Sequence, residues 1–347
     1  MGRRAGPAPA KLRKSAAPVH LRPLGSRTLC LSHTHFSVNA NEYQECRLCP
    51  RQCDVNRSEG QRGYCQETAV CRIASVGPHF GEEPSFSGRH GSGAFFFSGC
   101  SSRCIFCQNY QISLENKGYE VDEAELFRLA LSLIGQGVHN LNFVTPDHFW
   151  PHIRTLCENL RARGETIPFL LNCSGYQEPA MIEAYARLID IFMPDFKFAD
   201  PQLAGQCMHD ARYPVIALES LRKMIELNGF LTPWDPTGQE TARHGVLVRH
   251  LVLPGCVENS LNVLRQLAAE FGRKLPLSIM SQFEPIPNCE TCRLFTTRVA
   301  AADYRRVCDE VESLGFENVY IQPDLGDMDF MPDFNRDEPF DGNKRDK

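Results

Sequence analysis

From residue 93 to about residue 322, short apolar runs alternate with longer stretches of helical period, and this alternation restricts the fold more than any other feature. A run that is apolar at every position must be covered on both faces, and a helix between consecutive strands makes those strands neighbours in parallel. Strands are expected near 93–98, 140–145, 168–173, 188–194, 246–253 and 277–282, with a seventh near 318–322. Helices are expected over 122–134, 151–163, 178–187, 215–227, 259–271 and 301–314. Six or seven parallel strands fit an α/β fold closed into a full or partial (β/α) barrel. A doubly wound open sheet fits the same pattern, because pairing order is not written in one sequence.

The flanks differ in character. Residues 1–41 hold no Asp or Glu but carry Arg3, Arg4, Lys11, Arg13, Lys14, Arg22 and Arg27, which reads as a basic, disordered extension. Residues 42–72 read as a Cys-rich metal-binding knuckle, 73–92 as a linker, 93–330 as the barrel and 331–347 as a polar tail. The chain has 347 residues, 42% hydrophobic and 23% charged, with a formal net charge of −5, and shows no clustered Lys/Arg patch of a nucleic-acid binder. No apolar run approaches the roughly 18 residues of a membrane span, and no signal peptide is evident. A cytoplasmic location is therefore expected, with an organelle matrix left open by the basic start. Sixteen cysteines in a reducing compartment favour metal sites over disulfides.

Three of them stand directly after the first expected strand, in Phe95-Phe96-Phe97-Ser98-Gly99-Cys100-Ser101-Ser102-Arg103-Cys104-Ile105-Phe106-Cys107, a C-x₃-C-x₂-C spacing. In barrels, loops at the carboxyl ends of strands carry the chemistry. A cubane iron–sulfur cluster held by three thiolates keeps one iron open, and an open position implies catalysis, as it does at zinc. The plainer readings are a chance spacing or part of a zinc site completed from elsewhere.

With Phe106 at the aromatic position of C-x₃-C-x-aromatic-C, the chain resembles the radical S-adenosylmethionine (SAM) superfamily. Thr145-Pro146-Asp147-His148-Phe149, Asn172-Cys173-Ser174-Gly175-Tyr176, Met193-Pro194-Asp195-Phe196-Lys197 and Arg249-His250-Leu251-Val252-Leu253-Pro254-Gly255 follow or form later strand ends. They narrow the resemblance, over about residues 42–323, to the group similar to pyruvate formate-lyase activating enzyme. The resemblance implies a partial (β/α) barrel of the radical SAM type and a [4Fe–4S] cluster on Cys100, Cys104 and Cys107. It implies SAM as the cofactor that the reduced cluster cleaves to a 5′-deoxyadenosyl radical. It also implies a protein substrate, a glycyl radical enzyme or similar, and a one-electron donor such as flavodoxin or ferredoxin. Asp195, Lys197 and His250 are then the expected cofactor contacts.

SAM presents an ammonium, a carboxylate, a ribose diol and an adenine. Lys197 and Arg249 suit the anion, Asp195 and Asn172 can accept hydrogen bonds, Ser174 lies among them, and Phe106 and His250 can face the adenine. Many members of the family have a Gly-Gly-Glu run after the second strand to hold the amino group. Here Thr145 and His148 stand in that stretch and are its candidates. Two alternatives stay open: the same radical chemistry on another peptide, a nucleoside or a small metabolite, and a non-catalytic iron–sulfur or zinc relay protein, which a fourth cysteine closing the first set would mark.

Cys46, Cys49, Cys53 and Cys65, spaced C-x₂-C-x₃-C-x₁₁-C, suit a closed second metal site of zinc or an iron–sulfur cluster, with Cys71 able to replace one ligand and unligated thiols as the alternative. His79, Glu82 and Glu83 read as solvated linker residues. Cys289 and Cys292 read as a surface turn, and Cys157, Cys173, Cys207, Cys256 and Cys308 as core residues.

Overall fold

The computed structural model describes residues 38–39, 41–322 and 331–340. The chain separates into Met1–Thr34 and His35–Lys347, and every described element belongs to the second unit. Most of the expected basic extension, and residues 341–347 of the expected tail, lie outside the described residues.

The strands are β1 (Arg72–His79), β2 (Ser92–Phe97), β3 (Tyr119–Glu120), β4 (Leu141–Val144), β5 (Phe169–Cys173), β6 (Ile191–Pro194), β7 (Gly245–Val246), β8 (Val248–Leu251), β9 (Leu277–Met280) and β10 (Val319–Ile321). One sheet runs β3-β1-β2-β4-β5-β6-β7, the other β10-β9-β8. From β2 to β7 all pairs are parallel, as are those among β8, β9 and β10. The two sheets join where Asp195, just past β6, bridges Arg249 of β8 and the Phe196 N–H donates to Arg249 O at 2.8 Å. No pairing connects β10 back to β2 among the described residues, so the parallel strands form an open α/β partial barrel.

The pleat sorts side chains as the apolar runs require. Phe95, Phe97, Leu141 and Phe143 enter the main hydrophobic core, while Ala94, Phe96 and Val144 pack together on the opposite face of β2 and β4. The helices follow their sequence signals. Glu123–Gln136 starts where Asp122 Oδ1 accepts the Glu125 N–H at 2.7 Å and stops at Gly137, whose φ of 82° is left-handed. Trp150–Ala162 has Pro151 in its first turn, Pro179–Ala186 and Tyr213–Asn228 likewise begin with proline, and Val257–Phe271 and Ala301–Leu314 cover the later strands.

Several expectations change. Residues 73–92 are not a linker: β1 occupies most of the first half, antiparallel between β2 and β3, and a helical turn at Pro84–Ser87 follows. Gly77 and Pro78 hid that strand by interrupting its pattern. The run 246–253 splits into β7 and β8 around Leu247, which packs with Phe86, Leu170, Ile191 and Met193. Helices Pro201–Met208 and Pro287–Cys292 went unread in the sequence: the first carries Gly205 in its interior and the second has only six residues. The second of these buries Cys289 in the core and leaves only Cys292 exposed, so the expected surface turn of two thiols is half right. Among the described residues no helix is long and apolar enough to cross a membrane.

Candidate active site

The cysteine loop leaves β2 through Gly99, where φ is +76° and an added Cβ would fall 2.5 Å from Glu67 Cγ and 2.8 Å from Cys65 O. Only glycine tolerates both the angle and the approach. Cys100 and Cys104 are buried and Cys107 is half-buried. The Cys107 N–H closes a turn onto Cys104 O at 3.2 Å, and Arg103 between the cysteines takes a left-handed φ of 45°. Its guanidinium is held away by Ser113 O, Leu114 O and Asn116 Oδ1. Backbone N–H groups aim at the sulfurs: Ser102 at Cys100 Sγ (3.3 Å), and Asn109 at Cys107.

Lys197 is a cation whose field reaches all three thiols. Burial works against its charge, but Asp195 beside it, and Cys104 when ionised, raise its pKa. Burial pushes the Cys107 thiol up to about 11, so a bound thiolate here needs a cationic metal in addition to Lys197. Three sulfurs of this kind, with backbone donors and one cation facing them, fit an iron–sulfur cluster.

The loops around the cysteines are tied together closely. Ser102 Oγ and Ser174 Oγ lie 2.7 Å apart. Gly175, at φ +73°, passes so near Asp195 that an added Cβ would lie 2.0 Å from its carbonyl oxygen. The Tyr213 hydroxyl accepts the Lys197 N–H at 2.9 Å and lies 3.0 Å from Ser174 O. Asp195, Lys197 and Ser174 are thus brought together beside the cysteines.

A second polar group occupies the faces of β4, β5 and β8. Arg249 pairs with both Glu82 and Glu83, with Nε donating to Glu83 Oε1 at 2.9 Å. Glu82 Oε1 also accepts from Asn142 Nδ2 (2.8 Å) and Asn172 Nδ2 (3.3 Å). Burial pushes the Glu82 carboxyl up, yet Arg249, His79 and the hydrogen bonds from Arg249 and Asn142 together hold it below the usual range. Glu82 and Glu83 are therefore buried acids, not the solvated linker residues expected. Asn142 Oδ1 is buried without a hydrogen-bond partner, an acceptor available to an ammonium or hydroxyl. An acceptor set, a cation and an orphan acceptor on neighbouring strands fit the polar groups of SAM. The sequence carried too little signal to find Glu82, Glu83 and Asn142, because their role depends on strand register.

Other expected contacts are placed differently. His250 is fully buried, with Nδ1 2.7 Å from Phe196 O and Nε2 2.9 Å from Ser260 Oγ, so neither nitrogen is left for a ligand. Phe106 is buried in the main core, its ring meeting those of Phe198 and Phe295 at near right angles (88° and 90°). His148 is buried with Nε2 2.7 Å from Ser98 O, which ties the end of β2 to the loop after β4; burial lowers its pKa to about 3, so it is neutral. Thr145 takes a φ of +48°, a strained value for a β-branched residue, and its N–H donates to Asn172 O at 2.8 Å. Asp147 beside it is buried, accepts from Gln177 at 2.9 Å, and is pushed by burial up to about 6.

The knuckle sits against this loop. Arg51 donates to Ser101 O at 3.1 Å and pairs with Met208 O, its guanidinium lying 3.8 Å over the Tyr64 ring. Asn116 bridges Cys65 O and Glu67, and Ser98 Oγ donates to Glu67 at 2.9 Å. Cys71 belongs to the main core instead. Among the described residues, no group of three or more His, Cys, Asp or Glu side chains closes on a single metal ion.

Residues 95–232 match the family model described as Radical SAM superfamily. Over 290 residues the chain is 22% identical to an uncharacterized protein of Methanocaldococcus jannaschii, covering 82% of this chain and 79% of that one. Among solved structures, methylornithine synthase aligns over 72% of this chain and 74% of its own at 11% identity, with a TM-score of 0.40.

Proposed function

We propose, from the match of residues 95–232 to the Radical SAM superfamily model, that the protein binds a [4Fe–4S] cluster through Cys100, Cys104 and Cys107 and cleaves SAM reductively. The observation that carries this reading is the set of three thiols on one strand-end loop, two buried and one half-buried, with the Lys197 cation facing them. When bound, the cluster would supply the one-electron reduction that cleaves SAM and so the means of hydrogen abstraction from a substrate. The chain's own part is placement. Asn142, Asn172, Asp195 and the Glu82–Arg249 group would orient the ammonium, carboxylate and ribose, and buried walls exclude water. Lys197 would set its positive charge against the anionic cluster, and it pairs with Asp195.

The substrate reading is a glycine Cα of a partner protein, with a small one-electron carrier as donor. It rests on the sequence resemblance of the strand-end stretches to the pyruvate formate-lyase activating group. The test is anaerobic reconstitution, dithionite reduction and measurement of 5′-deoxyadenosine after SAM is added. A Cys104→Ala variant should lose the product. No 5′-deoxyadenosine from a clustered, reduced wild-type chain would overturn the reading, whereas product that incorporates no deuterium from a deuterated glycyl partner would overturn only the substrate.

A further inference from the structure

We propose that Cys46, Cys49, Cys53 and Cys65 hold a second iron–sulfur cluster, ligated fully by protein and seated against the loop of the first. The backbone brings the four sulfurs together. The Gln52 N–H donates to Cys49 O at 3.0 Å and the Asp54 N–H to Cys46 O at 3.2 Å, through left-handed residues Gln52 and Asp54 that fold the first three cysteines back on one another. Gly63 lies between the other sulfurs: a Cβ there would meet Cys53 Sγ at 3.4 Å and Cys65 Sγ at 3.8 Å. Cys49 in turn lies within electrostatic reach of both Cys65 and Cys46.

Each of the four sulfurs is arranged as an acceptor. Arg57 Nη1 lies 3.6 Å from Cys46 Sγ, and the Tyr64 N–H lies 3.2 Å from Cys53 Sγ. The N–H of Arg51 points at Cys49 and that of Glu67 at Cys65. The last two repeat the arrangement at the first loop, where the N–H two residues on points at Cys100 and at Cys107. Donors aimed at sulfur stabilise thiolates and tune the clusters they hold.

An independent observation requires negative charge at this place. Arg57 is 1% exposed, and its guanidinium meets Glu67 O (3.1 Å), Thr68 O (2.6 Å), His148 O (2.6 Å) and Cys46 Sγ. Among the described residues no carboxylate pairs with it. A buried cation met by neutral carbonyls, a sulfur and the Tyr43 and Phe149 rings (4.7 and 5.6 Å) lacks a full counter-charge, and four neutral thiols would not supply one. Four thiolates around an iron–sulfur core carry net negative charge and do. A cluster is favoured over zinc because the first loop is read as a cluster site and the same N–H to sulfur arrangement recurs at Cys49 and Cys65.

The experiment uses the full chain with Cys100, Cys104 and Cys107 all changed to alanine, reconstituted anaerobically, with iron, sulfide and zinc measured alongside absorption and the EPR spectrum after dithionite. The expected result is iron and sulfide in equal amounts in the folded variant, both lost when Cys49→Ser and Cys65→Ser are added. Zinc alone, or a folded variant with no metal, overturns the proposal without touching the SAM reading, which the Cys104→Ala assay decides separately. Should the triple variant fail to fold, the wild-type chain decides: about eight iron per chain supports two clusters and about four overturns the second.

Discussion

Replacing Arg249 with methionine removes the guanidinium that pairs both Glu82 and Glu83, while keeping a side chain of similar length in the same space. The Arg249 side chain is 12% exposed and the two glutamates 6% and 8%, so the lost pairs are buried ones and solvent cannot rescue the carboxylates. Removing one partner of such a group costs about 3–5 kcal/mol. The pH dependence should change sign. In the wild-type chain the Glu82 pKa is held below its unfolded value. Its contribution is therefore present above about pH 4.3 and is lost as pH falls through the folded value. In Arg249→Met, burial acts with far less opposition, the folded pKa rises above the unfolded one, and folding takes up a proton. The variant should then recover stability as pH falls from 7.5 to 5.5, where the wild type changes little. Anaerobic urea unfolding followed by circular dichroism at the two pH values measures this. Adding Glu82→Gln and Glu83→Gln to Arg249→Met should restore most of the loss, because no buried charge is left unpaired. A penalty under about 1 kcal/mol at pH 7.5, or one equal at both pH values, would refute the account.

Gly175→Ala should abolish 5′-deoxyadenosine formation while leaving the iron content of the first site in place, since its Cβ would fall 2.0 Å from Asp195 O and displace the Asp195–Lys197 segment; unaltered product formation would show that this segment does not position the cofactor. Phe106→Leu should retain the cluster and change the SAM concentration giving half-maximal product by less than about threefold, because the ring packs against Phe198 and Phe295 and a swap of apolar residues near in size costs under about 1.5 kcal/mol. A large loss of SAM affinity with cluster content intact would return Phe106 to the adenine site.

The parallel strands and six of the helices were legible because burial on both faces and the 3.6-residue period leave local marks, such as Asp122 and Gly137 at the two ends of one helix. The cysteine loop was legible because its chemistry is local: three thiols within eight residues, directly after a strand. β1 was not, since its strand character comes from pairing on both sides and not from its own composition. Glu82 and Glu83 looked like solvated charges for the same reason: Arg249, their partner, is more than 160 residues away in sequence. His250 and Phe106 were misplaced because a residue type suited to adenine is equally suited to a core, and only the positions of Ser260, Phe198 and Phe295 decide between them. Asp195 and Lys197 stand one and three residues past the end of β6, the part of a barrel strand from which side chains reach the mouth, and that position was readable from the sequence.

β1 acts as a ruler. Its eight residues span about 26 Å, with the Cys65–Glu67 segment that braces the cysteine loop before one end and the Glu82–Glu83 pair after the other. Both are reached along a single strand clamped on each side, so neither can shift lengthwise without breaking the ladder to β2. Deleting one residue from β1 would turn every side chain beyond the cut to the opposite face. The acids would then be out of phase with Arg249 while the cysteines remained in register, a defect of length alone that no substitution in the strand could produce.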